Sequence, residues 1–317
     1  MQLQFQYFVS KLPLPTAQEP PMGLGPPILA LYRQLKLGGA LEGIDRVVEL
    51  GSQGVWCPDE RLLIGLFEAF GRPIPSAKER ATYVNTSGTG SAASRDLHES
   101  LGFQYDCVDI DGNFGSLTLD INFDSVPPER RGKYKLTTNH GTTEHLLNQY
   151  NAFKMIHDFT APGGLMLHAL PFTVHLEHGF FNYQPNLFDA LARFNSYKTL
   201  GIWVGPDWTL SSLVPWEPKL LNFLTLNAST THLLVVLQQK LHDTEFCIPV
   251  QGVYEDMLPE GGVARYRLVI DGEYYSGRRF RHVTREIATV PLAEYPVSVI
   301  MKHVWKRLLR RLKLSSP

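Results

Sequence analysis

Residues 46–54, RVVELGSQG, decide the fold. A short apolar run that closes on Glu49 is typical of a buried strand, and the glycines at 51 and 54 then introduce a turn. Glycine has no Cβ atom, so a ligand can approach the backbone of this turn closely. A GxGxxG dinucleotide motif is absent, because Ser52 and Gln53 separate the two glycines. An NAD site is therefore disfavoured.

Apolar runs of the same kind recur downstream and alternate with helix-like segments. This alternation predicts an α/β fold: a doubly wound, seven-stranded and mostly parallel sheet of the Rossmann-like type. The clearest helix is predicted between 143 and 158, with Thr142 as its cap. The predicted strands are 46–50, 105–110, 116–121, 133–138, 165–171, 199–205 and 232–238, and the predicted helices are 58–70, 92–101, 143–158 and 186–194.

Three regions follow from composition. Residues 1–44 form an N-terminal arm, which is rich in proline, and a short helix that begins near Pro27. Residues 45–240 form the main α/β domain, and residues 241–317 form a C-terminal extension in which periodicity weakens. Within the main domain, residues 72–94 are polar and small, and we expect them to form a flexible flap.

Charge and cysteine content exclude several classes of protein. A net charge of −1 and a pI of about 6.8 argue against a basic nucleic-acid binder, so no nucleic-acid partner is expected. The three cysteines are far apart and form no CxxC pair, which fits a reducing cytoplasm better than a disulfide framework or a zinc knuckle. No apolar run reaches the roughly 18 residues of a membrane span. We therefore expect a soluble, cytoplasmic protein.

Acidic residues end three successive predicted strands. Glu49 closes the first, Asp109 or Asp111 ends the second in CVDIDG, and Asp120 ends the third in LTLDIN. Ligands of open parallel sheets bind beyond the carboxyl ends of the strands, which is where these acids fall. A carboxylate there can accept both hydroxyls of a ribose, and another can accept from an exocyclic amine. The pattern favours a nucleoside ligand over a pyrophosphate.

These motifs, in this order, resemble class I S-adenosylmethionine-dependent methyltransferases over roughly residues 45–240. VVELGSQG resembles their first motif, CVDIDG the ribose-binding acid, LDIN the adenine-side acid, and LHALP after PGG the fifth strand. NHGTTEHL and HGFFNYQP further resemble bacterial small-molecule methyltransferases. Gln53 departs from the family, which more often has glycine there. The resemblance implies S-adenosylmethionine as cofactor, with Glu49, Gly51, Ser52, Gly54, Asp109, Asp111, Asp120 and Asn139 as its binding residues.

Histidines supply the candidate bases. His140 and His145 are five residues apart and would diverge by about 140° on a helix, so they do not form a zincin pair. Histidine titrates in the range that proton removal from a hydroxyl requires. We predict His178 as the catalytic base and His140 as second choice, with Glu144 complementing the dipole of the helix. His168, inside an apolar strand, is interpreted as a core residue.

Substrate contacts are predicted around and after the fifth strand, where polar and aromatic side chains crowd together. A metal held by His175, Glu177 and His178 is conceivable, but a metal site needs several convergent ligands, so we predict none. The predicted substrate-binding residues are His175, Asn182, Tyr183 and Trp208.

The C-terminal stretch, residues 298–314, has a different character. Six lysines and arginines without an acid accompany apolar residues at helical spacing between 301 and 313. Such a cationic amphipathic helix could lie on an anionic membrane surface, which would make the protein membrane-peripheral. An oligomer or domain contact with a solvated basic face fits the same pattern, and RNA binding fits it less well.

The predicted function is transfer of a methyl group to an oxygen, less readily a nitrogen, of a small-molecule substrate. The alternative is a non-catalytic scaffold or binding protein with this fold, which docks partners or membrane through the basic C-terminal helix. A nucleic-acid methyltransferase is disfavoured, because residues 138–141 read TNHG and not the Asn/Asp-Pro-Pro-aromatic turn of amino-directed enzymes.

Overall fold

The computed structural model describes residues 23–83, 92–175, 178–205, 213–218, 231–251 and 254. Several sequence predictions lie outside the described residues. They concern Trp208, Glu177, most of the N-terminal arm, the centre of the 72–94 flap and the basic stretch 298–314.

One eight-stranded sheet organises the described chain. In their order across the sheet, the strands are β5 (Leu117–Thr118), β4 (Gln104–Asp109), β1 (Arg46–Leu50), β6 (Tyr134–His140), β7 (Thr160–Thr173), β10 (His232–Lys240), β8 (Tyr197–Gly205) and β9 (Val214–Pro215). β1 pairs in parallel with β4 and β6, and these continue in parallel to β5 and β7, whereas β10 runs antiparallel between β7 and β8. The predicted Rossmann-like, mostly parallel sheet is confirmed, with the two-residue β9 as an eighth strand.

Helices cover both faces of the sheet because its strands are apolar on both sides. In β1, Val47 packs into one apolar cluster and its neighbour Val48 into the other, as the two-residue period of a strand requires. The Val47 side carries α1 (Pro26–Leu37), α2 (Glu60–Ala69) and α4 (Ser94–Leu101), and the Val48 side carries α5 (Gln149–Phe159) and α6 (Pro185–Asn195). Full burial of one such aliphatic side chain contributes about 1.5–3 kcal/mol.

α1 belongs to the same core as the sheet. Pro26 and Pro27 occupy its first turn, where their missing amide hydrogens cost nothing. Ile28, Leu29 and Tyr32 are buried in the cluster that contains Val47. The helix of the predicted N-terminal region 1–44 therefore contributes buried side chains to the cluster that contains Val47.

The start of the helix predicted at 143–158 is wrong. Thr143–His145 form one 3-10 turn, and α5 begins only at Gln149, where the Asn148 side chain accepts from the amide of Asn151 at 3.1 Å. Thr142 makes no cap because its hydroxyl donates to the carbonyl of Leu50 at 2.7 Å. Glu144 is fully buried in the 3-10 turn, so it does not complement the dipole of α5.

The predicted flap contains regular structure where it is described. α3 spans Ala77–Tyr83, and β3 (Ala92–Ala93) pairs antiparallel with β2 (Gly54–Val55) in a separate small sheet. Within the described ranges, no helix combines the length and apolarity that crossing a bilayer requires.

Candidate active site

The turn after β1 is shaped by Gly51. Its φ of +80° lies in the left-handed region, and its amide donates to the carbonyl of Val108 at 2.8 Å. A Cβ atom at this position would lie 2.3 Å from Thr142 Oγ1 and 2.6 Å from Gln53 Nε2. Only glycine fits this turn, at the sheet edge where the strands β4, β1 and β6 end.

Asp109 clamps this turn to the end of β4. Its Oδ2 accepts from the backbone amide of Ser52 at 2.7 Å and lies 2.8 Å from the Ser52 hydroxyl, while its Oδ1 accepts from the amide of Ile110 at 2.7 Å. A carboxylate has about four acceptor positions, so Asp109 keeps capacity for a ligand hydroxyl. Asp111 is exposed beside it, with Oδ1 3.4 Å from the Ser52 hydroxyl. Ser52, Asp109 and Asp111 are thus brought together.

Gln53 and Thr142 close the same edge, and sequence reasoning missed their role. Gln53 Nε2 donates to Thr142 Oγ1 at 2.9 Å, and Thr142 Oγ1 donates to the carbonyl of Leu50 at 2.7 Å. The side chain that replaces the expected glycine therefore ties the β1 turn to the β6 turn. The sequence contained one signal of this role: the polar Gln53 stands where glycine is expected.

The Glu49 side chain points into the core beneath the turn. It is fully buried and accepts a short hydrogen bond from the Tyr105 hydroxyl, with Thr138 Oγ1 at 3.5 Å. Burial raises the pKa of the Glu49 carboxyl to about 7, against the opposing effect of the hydrogen bonds. The fully buried Glu49 side chain therefore supports the turn from within the core.

Asn139 and His140 end β6 and are both fully buried. Asn139 donates to Thr143 Oγ1 at 3.0 Å and so holds the turn that follows β6. His140 packs edge-on against Tyr32 of α1, and burial lowers the pKa of its imidazole to about 3. The structure does not support His140 as a base, because an inaccessible imidazole with so low a pKa accepts protons poorly. His168 is buried with a pKa of about 3 for the same reason, in agreement with the core interpretation.

Asp120 follows β5 at the sheet edge. Its Oδ1 accepts from the amide of Asn122 at 2.9 Å, and its own amide donates to Asp124 at 2.7 Å. β5 is only two residues long, which is why seven residues suffice to connect it in parallel to β4. Asp120 is half-buried within its own turn, and in the described part of the chain no hydrogen bond joins it to Asp109.

His178 meets Glu144 at the same edge of the molecule. His178 Nε2 lies 3.7 Å from Glu144 Oε1, and the His145 ring centre lies 5.0 Å from the His178 ring centre. The Glu144 side chain is 0 % exposed and the His178 side chain 10 % exposed. The arrangement places a carboxylate within ion-pair distance of an imidazole, although 3.7 Å is longer than the roughly 2.6–3.2 Å of a hydrogen bond between a general base and its partner.

The His178 segment is held against Glu144 by backbone contacts. The amide of Phe180 donates to the carbonyl of Glu144 at 2.8 Å. A Cβ atom on Gly179 would lie 3.0 Å from both Cγ and the carbonyl oxygen of Glu144. Gly179 therefore permits the close approach that sets the distance between His178 and Glu144.

The predicted substrate residues divide into two groups. His175 is buried and donates from Nε2 to the carbonyl of His232 at 3.0 Å, and Tyr183 is buried with its hydroxyl 2.7 Å from Gln149 Oε1 and 2.9 Å from Thr143 Oγ1. These two side chains position the segment around His178. Asn182 is exposed and available to a ligand.

No protein-family model matches the sequence, and no curated protein matches it. Solved structures are found at low similarity. The chain is similar to the Burkholderia thailandensis 1,6-didemethyltoxoflavin-N1-methyltransferase with bound S-adenosylhomocysteine, at 10 % identity and a TM-score of 0.36 over 68 % of this chain and 80 % of that one. It is also similar to a putative sarcosine dimethylglycine methyltransferase from Galdieria sulphuraria, at 13 % identity and a TM-score of 0.38 over 68 % of this chain and 86 % of that one. A geranyl diphosphate methyltransferase in complex with SAM is similar at 10 % identity and a TM-score of 0.39 over 67 % of this chain and 85 % of that one. Sequence identities and TM-scores this low do not indicate an activity for this chain.

Proposed function

We propose that this protein binds S-adenosylmethionine and transfers its methyl group to an oxygen of a small molecule. The observation that supports the proposal is the turn after β1, where Gly51 has a positive φ and Asp109, at the end of the neighbouring strand, holds the turn in place. Turns of this kind at the carboxyl edge of a parallel sheet are where nucleoside ligands bind.

The residues at this edge fit the cofactor. Gly51 allows Thr142 and Gln53 to pack closely against the turn, and Asp109 retains acceptor capacity for ribose hydroxyls. Asp111 and Ser52 lie beside Asp109 and complete the ribose side, while Asp120 is the candidate acceptor for the adenine amine. Gly54 continues the turn, and Glu49 and Asn139 support it from the interior.

Bound S-adenosylmethionine supplies an electrophilic methyl on a sulfonium, so that the acceptor oxygen forms a bond to carbon while the carbon–sulfur electron pair returns to sulfur. The protein must align the acceptor and remove its proton. His178 takes the proton, and Glu144, 3.7 Å behind its Nε2, stabilises the imidazolium that results. A base with a carboxylate behind it serves a hydroxyl acceptor better than an amine, which favours oxygen over nitrogen. Asn182, and Trp208 outside the described residues, are the candidates for contacts with the small molecule.

The cofactor site is tested at Asp109. Asp109→Ala removes the ribose acceptor and the clamp on Ser52, and we expect it to weaken binding of S-adenosylhomocysteine about 10- to 100-fold, the cost of hydrogen bonds to a charged group. Isothermal titration calorimetry measures this. Asp45→Ala is the matched control, because Asp45 is exposed at the opposite edge of the sheet, before β1. Equal affinities of the two variants would remove Asp109 from the site.

The base is tested at His178. His178→Ala should lower the turnover number about 10²- to 10⁴-fold while leaving the dissociation constant of S-adenosylhomocysteine unchanged, because only the proton acceptor is lost. Methyl transfer is measured with radiolabelled cofactor across a panel of phenols and alcohols. The exposed His242 follows β10 at the far edge of the sheet, and His242→Ala should retain full turnover. Unchanged turnover in His178→Ala would show that His178 is not the catalytic base.

A non-catalytic scaffold is the second candidate, and Gln53 favours it. Its side chain occupies the turn where glycine would leave room and hydrogen-bonds to Thr142. In that case the protein would act from the cytoplasm by docking a partner, another copy or an anionic membrane through residues 298–314. Tight binding of S-adenosylhomocysteine without methyl transfer to any member of the panel would favour this function over the enzymatic one.

A further inference from the structure

We propose that Glu144, His145 and His178 form a binding site for a divalent transition-metal ion, with Zn²⁺ and Co²⁺ as its probes. This inference goes beyond the proposed function, and it does not depend on S-adenosylmethionine. The sequence prediction considered a metal on His175, Glu177 and His178 and disfavoured it. The tertiary structure gathers a different set of ligands.

The three side chains converge on one point. One potential ligand atom from each, a carboxylate oxygen and two imidazole nitrogens, lies within 4.8 Å of the others. Ligands at about 2.1 Å from a tetrahedral ion are separated by roughly 3.4 Å. Of the three side chains, the exposed His145 is the freest to rotate and shorten these distances when an ion binds.

Glu144 is the strongest sign that something is bound here. It is fully buried, and neither of its carboxylate oxygens has a hydrogen-bond partner among the described residues. Burial of a charged group is costly unless the charge is paired or bound to a metal. A cation held between Glu144 and His178 would compensate the carboxylate that the fold places there.

The donor set selects the kind of ion. Two imidazole nitrogens and one carboxylate oxygen suit Zn²⁺ and related transition metals, whereas Mg²⁺ and Ca²⁺ prefer oxygen ligands alone. Three protein ligands leave a coordination position open for water or for a substrate oxygen. His145 is exposed, which gives an ion a path from solvent to the buried carboxylate.

The backbone prepares the site before any ion arrives. Glu144 and His145 share the 3-10 turn after β6, and the hydrogen bond from the Phe180 amide to the Glu144 carbonyl docks the His178 segment onto that turn at 2.8 Å. A preformed set of ligands lowers the cost of ordering them when the ion binds.

An ion at this site would change how an acceptor is activated. The His178 nitrogen that binds a metal cannot also accept a proton, so metal loading and the free-base step exclude each other. In the loaded protein, a hydroxyl on the open coordination position would lose its proton more readily because the cation stabilises the alkoxide.

The test is metal binding to the full-length, chelator-treated protein, without reference to activity. Wild type is expected to bind one Zn²⁺ per chain by calorimetry and to give the visible absorption bands of tetrahedral Co²⁺. Glu144→Gln and His178→Ala should each bind at least about tenfold more weakly, because loss of even an outer-shell partner costs about 10- to 100-fold. His242→Ala, on the far edge of the sheet, should bind as wild type. Absence of saturable binding to wild type, or equal binding by all four proteins, would overturn the site.

Thermal unfolding gives a readout that a folding defect cannot imitate. In chelator, Glu144→Gln should melt at a temperature at least as high as wild type, because neither oxygen of the buried Glu144 side chain has a hydrogen bond in the described structure and its contact with His178 spans 3.7 Å. At the same concentration, Zn²⁺ should raise the melting temperature of wild type more than that of Glu144→Gln, because the variant binds the ion more weakly. A Glu144→Gln protein that melts lower than wild type in chelator would contradict the proposal, because Glu144 would then have a structural partner.

The two proposals fail separately. If the protein binds Zn²⁺ but not S-adenosylhomocysteine, the metal site is supported and the proposed methyltransferase function is contradicted. Binding of S-adenosylhomocysteine without Zn²⁺ binding would do the reverse.

Discussion

Gly51→Ala is expected to destabilise the fold and to disrupt cofactor binding. The left-handed backbone conformation costs an L-residue about 1–2 kcal/mol, and the added methyl group would lie 2.3 Å from Thr142 Oγ1. Overpacking of this kind costs about a further 1–3 kcal/mol. Chemical denaturation measures the loss of unfolding free energy.

Gly51→Ala should also weaken cofactor binding, because relief of the clash would move the turn away from Thr142 and Asp109. We expect binding of S-adenosylhomocysteine to weaken at least about tenfold, as for the loss of one good hydrogen bond. Gly43→Ala is the matched control: Gly43 also has a positive φ, +67°, but a Cβ there meets nothing within 4 Å. If the two variants lost the same stability and neither bound S-adenosylhomocysteine more weakly, the tight contact at Gly51 would not contribute to cofactor binding.

Glu49→Gln is expected to stabilise the protein at pH 8 and not at pH 4. The carboxyl has a pKa of about 7 in the folded protein against 4.5 for an unperturbed group, because burial penalises its charged form. A raised folded pKa contributes stability that is fully present below pH 4.5 and is lost as the pH rises through about 7. A difference of this size corresponds to about 3 kcal/mol of unfolding free energy.

The measurement is the unfolding free energy of both proteins between pH 4 and pH 8. The informative quantity is the difference between Glu49→Gln and wild type, which cancels the titration of all other groups. Tyr105→Phe removes a hydrogen bond that stabilises the Glu49 carboxylate, so it should steepen the loss of stability towards pH 8. Glu42→Gln, on the surface before β1, controls for the loss of one negative charge. A difference that stays constant with pH would show that Glu49 titrates normally.

Local sequence signals predicted most of the sheet. Strands such as Arg46–Leu50 and His232–Lys240 are short apolar runs bounded by turn residues, and α1 begins at a proline pair and ends before Gly38. These signals depend on neighbours in the chain, which is why they can be read without the fold. The glycine turn after β1 was predicted from such a signal too, because a ligand can approach a turn without Cβ atoms closely, and the structure then gave Gly51 a φ of +80°.

The helix around Glu144 could not be placed from local signals. Thr142 is a sound cap candidate on its own, but its hydroxyl donates to Leu50 in a different strand. Likewise, the first turn of a helix is a reasonable place for Glu144, yet the 3-10 turn buries it against the backbone at Gly179. Both errors have one cause: a contact between segments distant in sequence outweighed a local preference.

The sequence by itself determined the alternation of strands and helices, the glycine turn after β1 and the acid at the end of β4, because each depends on a periodicity or on a single backbone conformation. Only the tertiary structure decided which polar side chains face one another. It buried His140 under Tyr32, turned Glu49 inward to Tyr105, and set Glu144 against His178. Burial and distance are properties of packing between remote segments, and they determine which histidine can accept a proton or bind a metal.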